Sequence, residues 1–245
     1  MGNLWKGFKE HRTFRFTSLL VILLIALVVL APVIAPYNPL EAVMKDANQA
    51  PSMAHLFGTD KLGRDVLSRI LYGGAYSLSS VLALVAIIFC VGTFLGLVAG
   101  YFGGLIDTVI MRVADMMISF PGVILAIAIA GIMGGSLVNA MIALTAVTWT
   151  KYARLSRSMV LKIRKRDFVD AAIVSGGTSS HILWTHIMPN VVPILVITAV
   201  SDIGAMMMEL AGLSFLGFGS QPPAPEWGLM LNEGRQQLQT APWLM

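Results

Sequence analysis

Two carboxylates inside an apolar run are the side chains best placed to do chemistry. Asp202 and Glu209 stand seven apart within Val191–Leu213, on one face of a helix, and Met206 lies close to that face. Ionised groups in lipid are costly and mark the routes of ions or substrates. Two readings stand: the stripe faces a translocation pathway, or backbone and a neighbouring subunit satisfy it. Arg112 and Asp115, spaced i, i+3, are expected to pair along one helix. Gly58 to Gly63 has the glycine spacing of a phosphate-binding loop, but Arg64 and Asp65 stand where lysine and a hydroxyl are required. Arg64, Asp65 and Arg69 are read instead as the polar face of a short amphipathic helix on a membrane surface, with Val66, Leu67, Ile70 and Leu71 opposite. His181 and His186, five apart, are poorly spaced for joint metal ligation. The chain has no Ser-His-Asp set, HExxH or CxxC, so neither a catalytic centre nor a metal site is expected. Its one cysteine, Cys90, excludes an internal disulfide and is read as a buried small hydrophobe.

The elements that must position these groups follow from composition. The 245 residues are 56% hydrophobic and 12% charged, with a mean hydropathy of +0.77. Soluble domains carry roughly 25% charged residues, so a water-soluble enzyme is excluded and an all-α integral membrane protein is expected. About five spans are legible, near Phe16–Ile34, Ser77–Phe102, Val109–Met133, Leu137–Thr150 and Val191–Leu213. The first is too long for a secretory signal, and Pro32 and Pro36 crowd the place of cleavage, so it reads as a retained helix. Gly103-Gly104 and Gly134-Gly135 make turns. Residues 1–76 form a tail, first span and outer amphipathic segment, and 77–245 the main membrane domain. The sequence stops at Trp243-Leu244-Met245, an interfacial mouth with no helix after it, so a sixth span is expected and missing. The Gly/Pro-rich stretch Ser214–Arg235 reads as an irregular re-entrant loop or a surface loop.

Charge sets the orientation. Lys6, Lys9, Arg12 and Arg15 against Glu10 leave the first fifteen residues at +3, and seven basic residues against Asp167 and Asp170 leave 151–170 at +5. Basic islands stay in the cytoplasm. Four crossings from a cytoplasmic N-terminus return the chain there at residue 151, so the two observations agree. Neither island has the aromatic platforms of a nucleic-acid surface.

Gly92, Gly96 and Gly100 form a small-xxx-small ladder, for packing within the subunit or at a subunit interface. The second island continues as Asp170-Ala171-Ala172, Gly176-Gly177, His186 and Met188-Pro189, a bent module of two short helices in which proline ends the second. That stretch resembles the "EAA" motif of ATP-binding-cassette importer permeases, with Asp170 for glutamate and His186 at the isoleucine position. Ala35-Pro36-Tyr37-Asn38-Pro39, Gly58-Thr59-Asp60, Gly63-Arg64-Asp65, Ala99 to Gly104, and Pro222-Pro223 through Glu226-Trp227-Gly228 are similar to the second permease of dipeptide, oligopeptide and nickel importers.

The resemblance implies the type I importer transmembrane fold and a non-enzymatic half-channel. Its partners would be a homologous permease, two ATPase subunits and an extracytoplasmic binding protein, in a bacterial inner membrane. Cofactors in the chain itself would be none, with ATP and magnesium on the ATPase subunits. Coupling would run through about 162–190, with Asp170, Ala171, Ala172, Gly176, His186 and Pro189 in the docking module. The carboxylates and methionines of Asp202–Glu209 favour nickel or a metal chelate as cargo, with di- or oligopeptides as the alternative. An ion-coupled secondary transporter is a distant third, because no internal repeat is evident.

Overall fold

A computed structural model describes residues 12–245; the basic residues before Arg12, and His11, lie outside that range. The described residues are helical, without a β-strand. They divide into two compact units, one of residues up to Ser77 with Pro222–Met245, the other Leu78–Gln221.

In the first unit, α1 (Arg12–Val29) carries Arg12 and Arg15 in its first turn, is predominantly apolar from Phe16 onward and buries no residue, as a helix meant for lipid does. After a short turn of helix, α2 (Ala31–Ile34), Pro36 and Pro39 keep the chain extended and looped. The amphipathic helix expected at Arg64–Leu71 is not a separate surface element. Asp65 caps a continuous 37-residue helix, α3 (Val66–Phe102), by accepting from the Ser68 N–H at 2.8 Å. The span therefore starts eleven residues before the expected Ser77. Arg64 and Arg69 are 1% and 2% exposed rather than on a polar surface. Arg64 Nε donates to Asp60 at 2.7 Å and its Nη2 to Glu233 at 3.0 Å, while Arg69 pairs with the same two carboxylates. Burial by itself would raise the Asp60 pKa, but the Arg64 and Arg69 charges and the Arg64 and Leu62 N–H groups outweigh it and hold the carboxyl below its ordinary 3.8.

The second unit, Leu78–Gln221, holds the rest of α3 and the helices that follow it up to residue 221. Gly103 and Gly104 both take positive φ, 67° and 55°, and turn the chain from α3 into α4 (Gly104–Ile118). The expected single span Val109–Met133 is broken: α4 and α5 (Gly122–Met133) meet at 92°. Pro121 carries no N–H and disfavours helix at Phe120, so the ladder of hydrogen bonds stops there. Gly134, at φ 88°, ends α5. Next, α6 runs unbroken over Leu137–Ile163, thirteen residues past the expected end at Thr150 and into the basic island. Three described helices are long and apolar enough to cross a membrane, Arg12–Val29, Val66–Phe102 and the bent run Ser179–Phe215, with the α4–α5 pair a possible fourth. The expected span Leu137–Thr150 forms the first half of α6, whose second half carries Lys151, Arg154 and Arg157.

The main core joins Leu84 and Ile88 of α3, Ala126 and Ala130 of α5, Leu144 and Tyr152 of α6, and Met206, Leu210 and Leu213 of the last long helix of this unit. Cys90 is exposed rather than buried. Its neighbours Gly92, Gly96 and Gly100 face α6 within the same subunit, which selects between the two readings of the ladder. A Cβ on Gly92 would stand 2.6 Å from Tyr152 Cβ, one on Gly96 would meet Ala153 O and Ser156 Cβ, and one on Gly100 would stand 2.8 Å from Val160 Cβ.

Candidate functional site

The basic island folds as a helical staircase. Arg166 precedes α7 (Asp167–Val174), whose end is a glycine cap: Gly177 N–H reaches Ala172 O at 3.0 Å, Gly176 N–H reaches Ile173 O at 3.0 Å, and Gly176 sits at φ 82°. One turn, α8 (Ser179–Ile182), is capped by Thr178. A π-helical turn, Leu183–Ile187, then leads into α9 (Met188–Phe215). Pro189 does not end a helix, as the sequence reading had it; it occupies the first turn of α9, where its missing N–H costs nothing. Val169, Ile182, Leu183 and Ile187 are buried in a second core with Leu97 and Val160 and anchor the module. Its outer side is apolar and uncovered: Val174 is 88% exposed and Ile173, Phe168 and Trp184 about half. Asp170 and Ala171 are exposed, Ala172 and His186 half-buried. His181 and His186 meet edge to face at 5.7 Å between ring centres.

Two ion pairs tie α4 to α6, Asp107 to Arg157 and Asp115 to Arg154. Asp115 therefore does not pair with Arg112, because α6 offers it a cation on a rigid neighbour. Arg164 Nη1 donates to the Tyr101 carbonyl at 2.8 Å and lies over its ring, joining the ends of α6 and α3.

The proposed pathway stripe separates into three environments. Asp202 is not without a partner: Lys151 Nζ donates to both its oxygens at 2.7 Å, and the buried Tyr152 hydroxyl donates at 2.9 Å. Met206 is 6% exposed and belongs to the core. Glu209 alone lines a cavity, of about 340 Å³, whose other walls are apolar. Lys151 and Tyr152 were missed in the sequence; the signal was a lysine interrupting an apolar helical stretch, which needs an intramembrane acid. Among the described residues, no three His, Cys, Asp or Glu side chains gather as a metal would require.

The stretch Ser214–Arg235 is irregular only in its first half. Gly217, at φ 90°, turns the chain after α9, and Phe218 packs on the main core. Trp227–Arg235 then forms α10, capped by Glu226, which accepts from Gly228 and Leu229 N–H at 2.9 and 2.8 Å. This helix corrects the wholly irregular loop expected there.

Residues 92–245 match the family described as binding-protein-dependent transport system inner membrane component, and residues 1–51 the N-terminal TM domain of oligopeptide transport permease C. The chain is 39% identical to a dipeptide transport system permease protein of Alkalihalophilus pseudofirmus, over 98% of this chain and 79% of the relative. It is 39% identical to a glutathione transport system permease protein of Pectobacterium atrosepticum, over 97% and 79%. The corresponding glutathione permease of Escherichia coli O157:H7 is 40% identical over the same shares. Helical throughout its described residues and multi-pass, the chain belongs to the binding-protein-dependent ABC importer permeases of the dipeptide and oligopeptide family.

Proposed function

We propose that the chain forms half of a peptide channel, opposite a homologous permease, with two ATPase subunits below and a substrate-binding protein above. The carrying observation is that the relatives at 39–40% identity, matched over nearly all of this chain, are named for dipeptide and glutathione transport. The nickel expectation rested on a row of Asp202, Met206 and Glu209; with Asp202 paired to Lys151 and Met206 in the core, that row is gone. Peptide is therefore the main reading and nickel the one it displaces.

In this reading the N-terminus and the 151–190 region are cytoplasmic. The module from about 162 to 190 docks on an ATPase subunit through its uncovered apolar side, Val174 and Trp184 foremost, since an exposed apolar patch rimmed by charge marks an interaction surface. Asp170, Ala171, Ala172, Gly176, His186 and Pro189 shape it. ATP and magnesium act on the partner subunits, and their closure moves α9 through the π-helical turn that joins it to the module. Two discrete states, inward-open and outward-open, are what such a device requires.

The test is a deletion strain assayed in parallel for growth on dipeptides as sole amino-acid source and for accumulation of radiolabelled nickel. Loss of dipeptide use with nickel unchanged is the expected result. Loss of nickel uptake with dipeptide use intact would overturn the proposal.

A further inference from the structure

The cavity beside Glu209 combines two properties that do not ordinarily coexist. Its volume, about 340 Å³, falls within the range of small-ligand pockets, and its lining from α5, α6 and α9 is apolar except for one carboxylate. That carboxylate makes no hydrogen bond or ion pair among the described residues, although Lys151 lies near enough to act on it electrostatically. The lysine's own hydrogen bonds go to Asp202, two turns away on the same face. A half-buried carboxylate among carbon atoms is costly to keep ionised, and a visiting cation relieves that cost.

The visitor's chemistry can be narrowed. A divalent metal needs several oxygen, nitrogen or sulfur donors, and the cavity offers one carboxylate and the Met208 thioether. An ammonium group needs only one counter-charge, with carbon around the rest of the molecule. Glu209 is six residues, about 9 Å of helix, from the Phe215 end of α9. A single charge-assisted contact is also weak enough to let cargo go.

We propose that this cavity receives the protonated amino end of a peptide in transit, with Glu209 as its counter-charge and Val123, Ile127, Leu144 and Leu213 seating an apolar first side chain. The proposal rests on the peptide reading above and adds which end of the peptide is held, and by what. Asp202 acts on Glu209 only electrostatically, as Lys151 does, and its own hydrogen bonds are to Lys151 and Tyr152.

Two variants probe it independently. Glu209→Gln removes the charge and keeps the shape. Gly212 also lines the cavity, and a Cβ built on it meets nothing within 4 Å, so Gly212→Leu fills the space without displacing backbone. The importer, assembled with its partner permease, ATPase subunits and binding protein in proteoliposomes, is assayed with Phe-Ala, Gly-Ala and N-acetyl-Phe-Ala, and binding-protein affinity for each peptide is measured separately. Glu209→Gln is expected to lower Phe-Ala uptake about tenfold while leaving N-acetyl-Phe-Ala at its wild-type rate. Gly212→Leu is expected to slow Phe-Ala more than Gly-Ala. Where the binding protein rejects the acetylated peptide, the Gly212→Leu comparison decides alone. Wild-type Phe-Ala uptake in Glu209→Gln, equal losses for the free and acetylated peptides, or equal losses for Phe-Ala and Gly-Ala in Gly212→Leu overturns the proposal. Failure of the wild-type importer to carry any of the three peptides overturns the peptide reading instead.

Discussion

The Tyr152 hydroxyl, on a side chain 1% exposed in α6, donates to Asp202 of α9 at 2.9 Å, and Lys151 closes on the same carboxylate. The two helices are thereby held at mid-length by a polar clasp at the edge of an apolar core, with Lys151 on its exposed side. Removing the acceptor strands the buried Tyr152 hydroxyl. Asp202→Leu is expected to cost about 1–3 kcal/mol of stability, and Asp202→Asn less, since the amide oxygen still accepts from Tyr152. Thermal unfolding of the purified variants in detergent checks this; equal losses for Leu and Asn would show that the hydroxyl is indifferent to its partner.

The glycine ladder makes a paired prediction. Gly96→Val places carbon against the Ala153 carbonyl and Ser156, neither of which can retreat from a packed helix, and is expected to cost about 1–3 kcal/mol or more. Gly204, in α9, has open space where its Cβ would stand, so Gly204→Ala is expected to be neutral or to gain about 1 kcal/mol from helix propensity. The unfolding midpoint should fall in Gly96→Val and stay level or rise in Gly204→Ala.

Much of this architecture was legible in the sequence because it is local. Glycine at every fourth position announces close packing, and Gly103-Gly104 and Gly134-Gly135 announce breaks. Pro121 was visible too, but a proline says that the hydrogen-bond ladder stops and not how far the chain then bends, which packing of α5 on α6 decides. What stayed hidden depends on partners distant in the chain. Asp202 looked unpaired because Lys151 is 51 residues away, and Arg64 looked like a surface residue because the second of its acids, Glu233, is 169 residues away. Residue type and spacing nominated Glu209, Asp202 and Met206 equally; only their neighbours separate them.

Acid should loosen the Asp60 cluster. Its folded-state pKa lies below 3.8, so its contribution to stability is complete above about pH 4 and is lost as pH falls below 3.8 through the folded value. At neutral pH Asp60→Asn leaves Arg64 and Arg69 to Glu233 alone and is expected to cost about 3–5 kcal/mol. The gap in unfolding midpoint between wild type and Asp60→Asn should narrow from pH 7 to pH 3. A gap independent of pH would mean that folding does not lower the Asp60 pKa, since the folded and unfolded states would then bind protons equally.

For the proposed docking module, Gly176→Ala forces a side chain into positive φ and is expected to strain the turn by about 1–2 kcal/mol. Peptide uptake should fall while the helices stay folded by circular dichroism. Val174→Asp puts a charge on the most exposed apolar side chain of the module, and the yield of ATPase subunits on affinity purification should drop several-fold. Full retention of both ATPase subunits in Val174→Asp would remove this face from the docking surface.

The ion cluster of Asp60, Arg64, Arg69 and Glu233 also imposes a calendar on biogenesis. At ribosomal speeds of about 5–20 residues per second, roughly ten to thirty seconds separate the emergence of Arg64 from that of Glu233. Through that interval the two guanidiniums have only Asp60 between them. The N-terminal part of α3 can then reach its final ion pairing only after the translocon has released nearly all the helices in between, so the first segment made is among the last to be finished.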